Sequence, residues 1–167
     1  MIHGYLIPSP LGDIALRAED DALTGVFFVG QKYYPALTMM PYDQALPRVI
    51  RQAEEQLAEF FSGERQAFNV PLRLRGTPFQ EQVWRELAQI PYGEVVSYGA
   101  MAKKMGLRPG HSRAVGMANG RNPICIILPC HRVIGASGDL TGYAGGMDRK
   151  HALLRLENAS GVPFKLV

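Results

Sequence analysis

The chain has 167 residues, of which 47% are hydrophobic, and its 18 Lys and Arg residues against 15 Asp and Glu residues give a net charge of +3. This length predicts one domain or two small ones, each with its own core. Two cysteines and four scattered histidines match neither a disulfide-stapled secreted scaffold nor a zinc site, and no apolar run has the length of a membrane span or a secretory leader. We therefore expect a soluble, cytoplasmic protein without a bound metal.

Positive charge is concentrated in the second half of the chain. Residues 1–75 carry 7 Lys and Arg against 9 Asp and Glu, a net charge of −2, whereas residues 76–167 carry 11 against 6, a net charge of +5. Basic side chains that neutralise phosphates give affinity for nucleic acids, although most surface arginines are simply solvated. With a boundary at Arg75-Gly76, we expect two domains, over 1–75 and 76–167.

The N-terminal part has the pattern of an α/β domain. Short β-rich runs at residues 5–7, 14–16 and 26–29, separated by turns, predict a small antiparallel sheet. Apolar residues at spacings of three and four over 43–61, followed by Gly63, predict an amphipathic helix. A further short strand is predicted over 68–74.

The C-terminal part is predicted to be mainly α-helical. Thr77, Pro78 and Gln80 specify the start of a helix that we expect to run to Ile90. Two shorter helices, over 98–105 and 111–119, flank a glycine-containing turn and have the dimensions of a helix-turn-helix. The second of them is rich in small residues, which suit either a nucleic-acid groove or tight packing within the protein. A last helix is predicted over 148–157.

A thiol stands next to an imidazole in Pro129-Cys130-His131-Arg132. The apolar run 124–128 predicts a buried strand that stops at Pro129 and holds Cys130 at its end. A neighbouring base or cation raises the thiolate fraction of a cysteine, which favours a nucleophile, although buried cysteines often serve only as small apolar residues. Cys125, among isoleucines, is expected only to pack.

A glycine-rich loop is predicted over 135–146. It lacks the lysine of a P-loop and the strand, G-x-G-x-x-G and helix order of a dinucleotide site. We therefore expect no cofactor.

Five motifs in this order and spacing carry a family resemblance. They are Gly93-Glu94-Val95-Val96-Ser97-Tyr98, Arg113-Ala114-Val115-Gly116, Asn122-Pro123, Pro129-Cys130-His131-Arg132-Val133-Ile134 and Gly142-Tyr143-Ala144-Gly145-Gly146. Over about residues 76–158 the chain resembles the O6-alkylguanine-DNA alkyltransferases, which are single-turnover DNA repair proteins. In the N-terminal part only the turn Pro8-Ser9-Pro10-Leu11-Gly12 is similar to that family.

The resemblance implies an irreversible transfer of an alkyl group from guanine O6 to Cys130. His131 takes the thiol proton through a water, and Glu157 holds the imidazole and stabilises its positive charge. Asn122 braces the turn that carries the cysteine. Tyr98 gives or shares a proton at the minor-groove edge of the leaving guanine.

The resemblance also implies how double-stranded DNA is bound. Arg113 fills the gap left by a flipped nucleotide while its helix lies in the minor groove. Tyr143 covers the flipped base, which also meets the backbone of Val133 and of Ala144, where some relatives have a serine. The other groove residues implied are Ser112, Ala114, Gly116 and Met117. We expect a monomer without a cofactor, and O4-alkylthymine is a further candidate substrate.

Two other functions are compatible with parts of the pattern. Alkyltransferase-like proteins bind lesions without repairing them, but they carry tryptophan at the cysteine's position, so Cys130 argues against that class. A cysteine hydrolase would use the thiol and imidazole, yet it would leave the glycine-rich loop and the groove helix without a role.

Overall fold

The computed structural model describes residues 3–40, 46–135 and 142–158. The chain divides into two compact units, one ending at Arg75 and the other beginning at Gly76. Within the described residues, no helix is both long enough and apolar enough to cross a membrane.

The first unit contains a four-stranded sheet in the order β3-β2-β1-β4. Strands β1 (His3–Ile7), β2 (Ile14–Glu19) and β3 (Ala22–Phe28) form the predicted antiparallel meander. A two-residue turn joins β2 to β3, and Asp20 in it has a φ of 54°, a left-handed conformation that aspartate tolerates better than most residues. The short strand β4 (Met39–Met40), which was not predicted, pairs in parallel with β1 and makes the sheet mixed at that edge.

Helix α1 (Arg48–Phe61) covers this sheet with an apolar face. It begins after Pro47, and the predicted start at residue 43 lies outside the described residues. The predicted strand over 68–74 is wrong, because only an isolated bridge joins Leu23 to Leu72. Pro71, which has no N–H, stands inside this segment and prevents a continuous ladder. The buried face of α1 consists of Val49, Ile50, Ala53, Gln56, Leu57 and Phe60.

The second unit begins with helix α2 (Pro78–Leu87), whose start has the predicted capping box. The N–H of Gln80 donates to Thr77 Oγ1 at 3.1 Å, and the N–H of Thr77 donates to Gln80 Oε1 at 3.0 Å. The helix ends at Leu87, three residues before the predicted end at Ile90, because the chain tightens into i→i+3 turns ahead of Pro91.

A pair of short parallel strands organises the rest of this unit. Strand β5 (Val96–Ser97) pairs with β6 (Val133–Ile134), which places the start of helix α3 (Tyr98–Lys104) beside the chain that follows Cys130. Ser97 caps α3, as predicted, by accepting from the N–H of Ala100 at 3.0 Å. After a 3₁₀ turn over Pro109–His111, helix α4 (Ser112–Gly120) packs against α2 and α3. Helix α5 (Met147–Leu156) ends the described part of the unit.

The segment 124–128 is a buried turn rather than the predicted strand. Its N–H and carbonyl groups bond within the segment, from Leu128 to Ile124 at 3.0 Å and from Ile127 to Cys125 at 2.8 Å. Ile126 has a φ of 72°, which is unusual for a β-branched residue. An apolar run of five residues is consistent with any buried segment, so its composition could not separate a strand from a turn. Half of the predicted loop, residues 136–141, lies outside the described residues.

Candidate active site

Cys130 opens a 3₁₀ turn over Cys130–Arg132 and is 2% exposed. Its N–H donates to the Leu128 carbonyl at 2.8 Å, and its own carbonyl accepts from Asn119 Nδ2 at 3.3 Å. Both bonds fix the backbone of the cysteine. The thiol therefore has a defined position in the core of the second unit.

The amide of Asn122 clamps the turn that precedes Cys130. Its Nδ2 donates to the carbonyl of Leu128 at 2.8 Å and to that of Ile124 at 3.4 Å, while its Oδ1 accepts from the Ile124 N–H at 3.0 Å. The side chain is buried and satisfies backbone groups that a sheet partner would satisfy in a strand. Asn122 thus lies where a bracing residue is needed.

Several neighbours act on the ionisation of Cys130. A hydrogen bond with the Cys125 thiol lowers the pKa of Cys130 most; Asn122 and the positive charge of Lys150 lower it further, and together they outweigh the effect of burial. The expectation that Cys125 only packs is therefore wrong. Cys125 is fully buried, but its thiol also contacts the acceptor candidate.

His131 is fully buried and directed by Glu157. Its Nε2 lies 2.6 Å from Glu157 Oε2, and because a carboxylate only accepts, Nε2 must carry the hydrogen. Burial lowers the pKa of His131 more than Glu157 raises it, so the imidazole is neutral at physiological pH. Its Nδ1 is buried and has no hydrogen-bond partner among the described residues. The neutral imidazole therefore has an unprotonated nitrogen, Nδ1, that can accept a proton.

The carboxylate of Glu157 is held by hydrogen bonds from His131, Arg132 and Gly93. It caps the end of α5, accepts from Arg132 Nε at 2.8 Å and Nη2 at 2.9 Å, and accepts from the N–H of Gly93 at 3.3 Å. Burial alone raises the pKa of Glu157, but the hydrogen bonds and charges of His131 and Arg132 outweigh it and bring the pKa to about 2. The carboxylate therefore stays ionised. Arg132 is itself buried and also donates to the Ile90 carbonyl at 2.6 Å.

Lys150 is a second buried cation, with no exposed surface. Its Nζ donates to the Val133 carbonyl at 2.7 Å and to the Gly142 carbonyl at 3.3 Å, so it joins α5 to the chain after Cys130 and to the loop before α5. Burial lowers the pKa of Lys150 to about 8, although attraction to Cys130 opposes this shift. The ammonium is therefore charged at neutral pH.

Two tyrosines predicted for the site lie in different surroundings. The hydroxyl of Tyr143 is buried beside the thiols of Cys125 and Cys130, and burial together with these neighbours raises the pKa of Tyr143 well above its usual value. Tyr98, the first residue of α3, is half-buried and lies close to Gly116 of α4. The other predicted pocket residues are a buried Val133 and a half-buried Ala144.

Helix α4 presents Arg113 and Met117 to solvent, one turn apart on the same face. Met117 is 72% exposed, an unusual position for a large apolar side chain. The Trp84 indole donates from Nε1 to the Ala118 carbonyl at 2.8 Å and anchors the opposite face. The remaining predicted groove residues on this helix are half-buried: Ser112, Ala114 and Gly116.

Family models described as 6-O-methylguanine DNA methyltransferase match both parts of the chain. The ribonuclease-like domain of that family matches residues 1–74, and its DNA binding domain matches residues 78–159. The chain belongs to the 6-O-methylguanine DNA methyltransferase family. The predicted fold class, an α/β N-terminal part followed by a mainly α-helical part, is that of this methyltransferase family.

Relatives in the methyltransferase family cover nearly the whole chain. A methylated-DNA–protein-cysteine methyltransferase of Mycolicibacterium paratuberculosis is 51% identical over 157 residues, which cover 94% of this chain and 93% of that protein. One from Methanosarcina acetivorans is 46% identical over 155 residues, covering 92% of this chain and 97% of that protein. The crystal structure of Mycobacterium tuberculosis OGT in complex with DNA has a TM-score of 0.84 and 48% identity, covering 96% of this chain and 95% of that one.

Sequence reasoning missed several residues of this methyltransferase-family site. The sequence alone indicates no role for Arg132, although it directly follows Cys130 and His131, and none for Lys150, and it places Asn119 only on a helix. The position of an arginine directly after the Cys-His pair could have indicated a role for Arg132. Nothing in the sequence around Lys150 indicates that this lysine is buried. Among the described residues, no three His, Cys, Asp or Glu side chains lie close enough together to share a metal ion.

Proposed function

We propose that this protein is a methylated-DNA–protein-cysteine methyltransferase that repairs O6-alkylguanine in double-stranded DNA by taking the alkyl group onto its own Cys130. The observation that carries the proposal is a buried thiol in hydrogen-bond contact with polar neighbours and near a buried ammonium. It stands in a chain 51% identical over 157 residues to a protein of that name. Lesion binding without repair is disfavoured, because Cys130 supplies the nucleophile that such proteins lack.

The first step is loss of the thiol proton. No described residue is hydrogen-bonded to the buried His131 Nδ1, so this nitrogen can take that proton through one water. The imidazolium that forms lies against Glu157, whose carboxylate is already ionised. Lys150 stabilises the thiolate by its charge. Glu157 and Arg132 act through His131, as positioning residues.

The second step is the transfer itself. The thiolate attacks the alkyl carbon, a new S–C bond forms, and the C–O6 bond breaks with its electron pair going to the guanine. Tyr98 gives or shares a proton with the guanine, which then leaves as a neutral base. The product is a thioether, which has no reactive acyl group for water to attack. Each protein molecule therefore acts once.

The target oxygen lies inside the base stack, so the nucleotide must be flipped out at a cost of a few kcal/mol. Arg113, exposed on α4, is suited to fill the space that the nucleotide leaves, with the exposed Met117 beside it against the minor groove. Tyr143 then covers the flipped base. At Ala144 only the backbone N–H remains to contact the alkylated oxygen, and O4-alkylthymine is a further substrate to assay.

We place the protein in the cytoplasm and take one chain as the working unit. The two cysteines are not joined by a disulfide, which agrees with a reducing compartment. The thiol, base, carboxylate and cation of the proposed site all come from one chain.

The proposal is tested by intact-mass measurement after incubation with an excess of duplex containing O6-methylguanine. We expect a gain of about 14 Da, one methyl replacing one hydrogen, on the peptide that contains Cys130. The Cys130→Ala variant should gain no mass while it still binds the duplex. A methyl group on another residue, or unchanged transfer by Cys130→Ala, would refute the proposal.

A further inference from the structure

The acceptor candidate Cys130 does not stand alone, because a second thiol lies against it. Cys125 is fully buried and Cys130 is 2% exposed, their side chains are hydrogen-bonded, and no disulfide joins them. The buried Tyr143 hydroxyl lies near both thiols, which together with burial raise its pKa. The alkyl-transfer step described above uses only one of the two.

The backbone keeps the two thiols together. Cys125 lies in the turn over 124–128. Its carbonyl accepts from the N–H of Ile127 at 2.8 Å, and the carbonyl of Ile124 accepts from the N–H of Leu128 at 3.0 Å. The chain reverses at Ile126, where φ is 72°, and Asn122 clamps both ends of the turn. The contact between the thiols therefore follows from a rigid turn and not from an accidental side-chain rotation.

We propose that Cys125 and Cys130 form an oxidisable dithiol site, which a peroxide converts into an intramolecular disulfide that thiol reductants reverse. Cys130 is the residue attacked by the peroxide, and Cys125 is the resolving thiol. Cytosolic disulfides of this kind are transient and act in redox sensing or protection.

The reaction balances with hydrogen peroxide as the oxidant. The Cys130 thiolate attacks one peroxide oxygen, the O–O bond breaks, and the products are a Cys130 sulfenic acid and hydroxide. The Cys125 sulfur then attacks the Cys130 sulfur, an S–S bond forms, and the sulfenic oxygen leaves with two protons as water. Overall, two thiols are oxidised by two electrons, one peroxide is reduced, and two waters form.

The surroundings favour this sequence over deeper oxidation. Lys150 and the hydrogen bond from Cys125 both favour the thiolate form of Cys130, which is the form that peroxides attack. A resolving thiol already in contact captures the sulfenic acid before a second peroxide can convert it to the irreversible sulfinic acid. Cys125 thereby preserves the acceptor in a form that can be recovered.

The consequence for repair rests on the proposed function of Cys130. In the disulfide form the sulfur has no thiolate, so alkyl transfer stops until the disulfide is reduced. After alkyl transfer the sulfur is a thioether, which cannot form a disulfide with Cys125. Oxidation and repair thus exclude each other on the same atom.

The test is intact-mass measurement of the full chain after brief exposure to hydrogen peroxide. The wild type should lose about 2 Da, and peptide mapping should find Cys125 linked to Cys130. Dithiothreitol should restore both the mass and the transfer of methyl groups from O6-methylguanine duplex. Cys125→Ala and Cys125→Ser should instead gain about 32 Da on Cys130, and dithiothreitol should not reverse that gain.

A matched control uses wild-type protein already methylated on Cys130, which should show no loss of mass under the same exposure. The disulfide does not depend on alkyl transfer, so failure of the proposed function leaves the 2 Da result standing. The wild-type arm also gives an answer if a Cys125 variant does not fold. Irreversible oxygen addition to wild-type Cys130 at the rate seen in the Cys125 variants would overturn the proposal, as would a wild type that forms no disulfide.

Discussion

The two units of this protein differ in the kind of polar side chain that they bury. Among the described residues of the first unit, the buried polar side chains are the neutral Thr24, Gln31 and Gln56, and ion pairs such as Arg65–Glu59 are solvent-accessible. Besides its two cysteines, the described part of the second unit buries four ionisable side chains together with two asparagines. They are His131, Arg132, Lys150 and Glu157, with Asn119 and Asn122.

This difference indicates which part of the protein buries charged groups for their chemical function and not for stability. Taking an ion out of water costs several kcal/mol, and a buried ion pair regains this only when its geometry is good and its other hydrogen bonds are made. The described core of the first unit contains only neutral polar side chains, so this desolvation cost does not arise there. The second unit buries charged groups around a thiol and an imidazole, where ionised groups with shifted pKa values serve acid–base and nucleophilic chemistry.

The largest expected effect is that of Glu157→Gln. This change leaves the guanidinium of Arg132 buried without its counter-charge, which should lower the free energy of unfolding by about 3–5 kcal/mol. It also removes the negative charge that stabilises the imidazolium of His131, so the transfer rate should fall at least about 100-fold. Chemical denaturation and single-turnover kinetics measure the two effects.

The matched control is Glu59→Gln in the first unit, which breaks the solvent-accessible pair with Arg65. It should change the free energy of unfolding by no more than about 1 kcal/mol and leave transfer intact. Equal losses in the two variants would remove the contrast between the units.

The same carboxylate predicts an acid dependence. Its pKa is about 2 in the folded protein and about 4.3 in an unfolded chain. Its stabilisation is therefore complete above about pH 4.3 and is lost as the pH falls towards 2, a change of about 3 kcal/mol. The difference in unfolding free energy between wild type and Glu157→Gln should shrink over this range. A difference that stays constant across it would contradict the charged network.

Arg113→Ala tests the charge that the second unit keeps on its surface. Repair of duplex substrate should slow about tenfold, because the vacated space in the stack is no longer filled, whereas repair of the same lesion in a single strand should change little. Arg85→Ala, an exposed arginine on another helix, controls for the loss of one positive charge. Equal slowing on duplex and single strand would reject the assignment of Arg113 to the flipped site.

The smallest effect is expected at an ordinary neutral contact. Thr77→Ala removes the capping box of α2 and should lower the free energy of unfolding by about 1 kcal/mol without affecting the chemistry of transfer. Gln82→Ala, exposed on the same helix, should lie within about 0.5 kcal/mol of wild type. A Thr77→Ala loss as large as that of Glu157→Gln would mean that charge burial is not what distinguishes the second unit.

The features that the sequence predicted well are local ones. The capping box at Thr77, the cap at Ser97 and the meander of the first thirty residues each depend on residues within a few positions of one another. Local hydrogen bonds and turn preferences are sufficient to specify them. The juxtaposition of Cys130 and His131 was likewise visible because the two are adjacent in the chain.

The features that could not be predicted depend on distant partners. The turn at 124–128 exists because Asn122 satisfies backbone groups that a neighbouring strand would otherwise satisfy. Lys150 lies 20 positions after Cys130 and meets its surroundings only through tertiary packing. Cys125 among isoleucines looks like a core residue because it is one, and only its contact with the second thiol reveals more.

The central claim is that one buried sulfur accepts one alkyl group and keeps it. The most direct measurement is the number of O6-methylguanine lesions repaired per protein molecule during long incubation with excess duplex. Our account predicts a plateau at one lesion per molecule, reached with full methylation of Cys130. Continued repair beyond one lesion per molecule would show that the alkyl group is removed from Cys130 and the thiol regenerated, and would contradict the account.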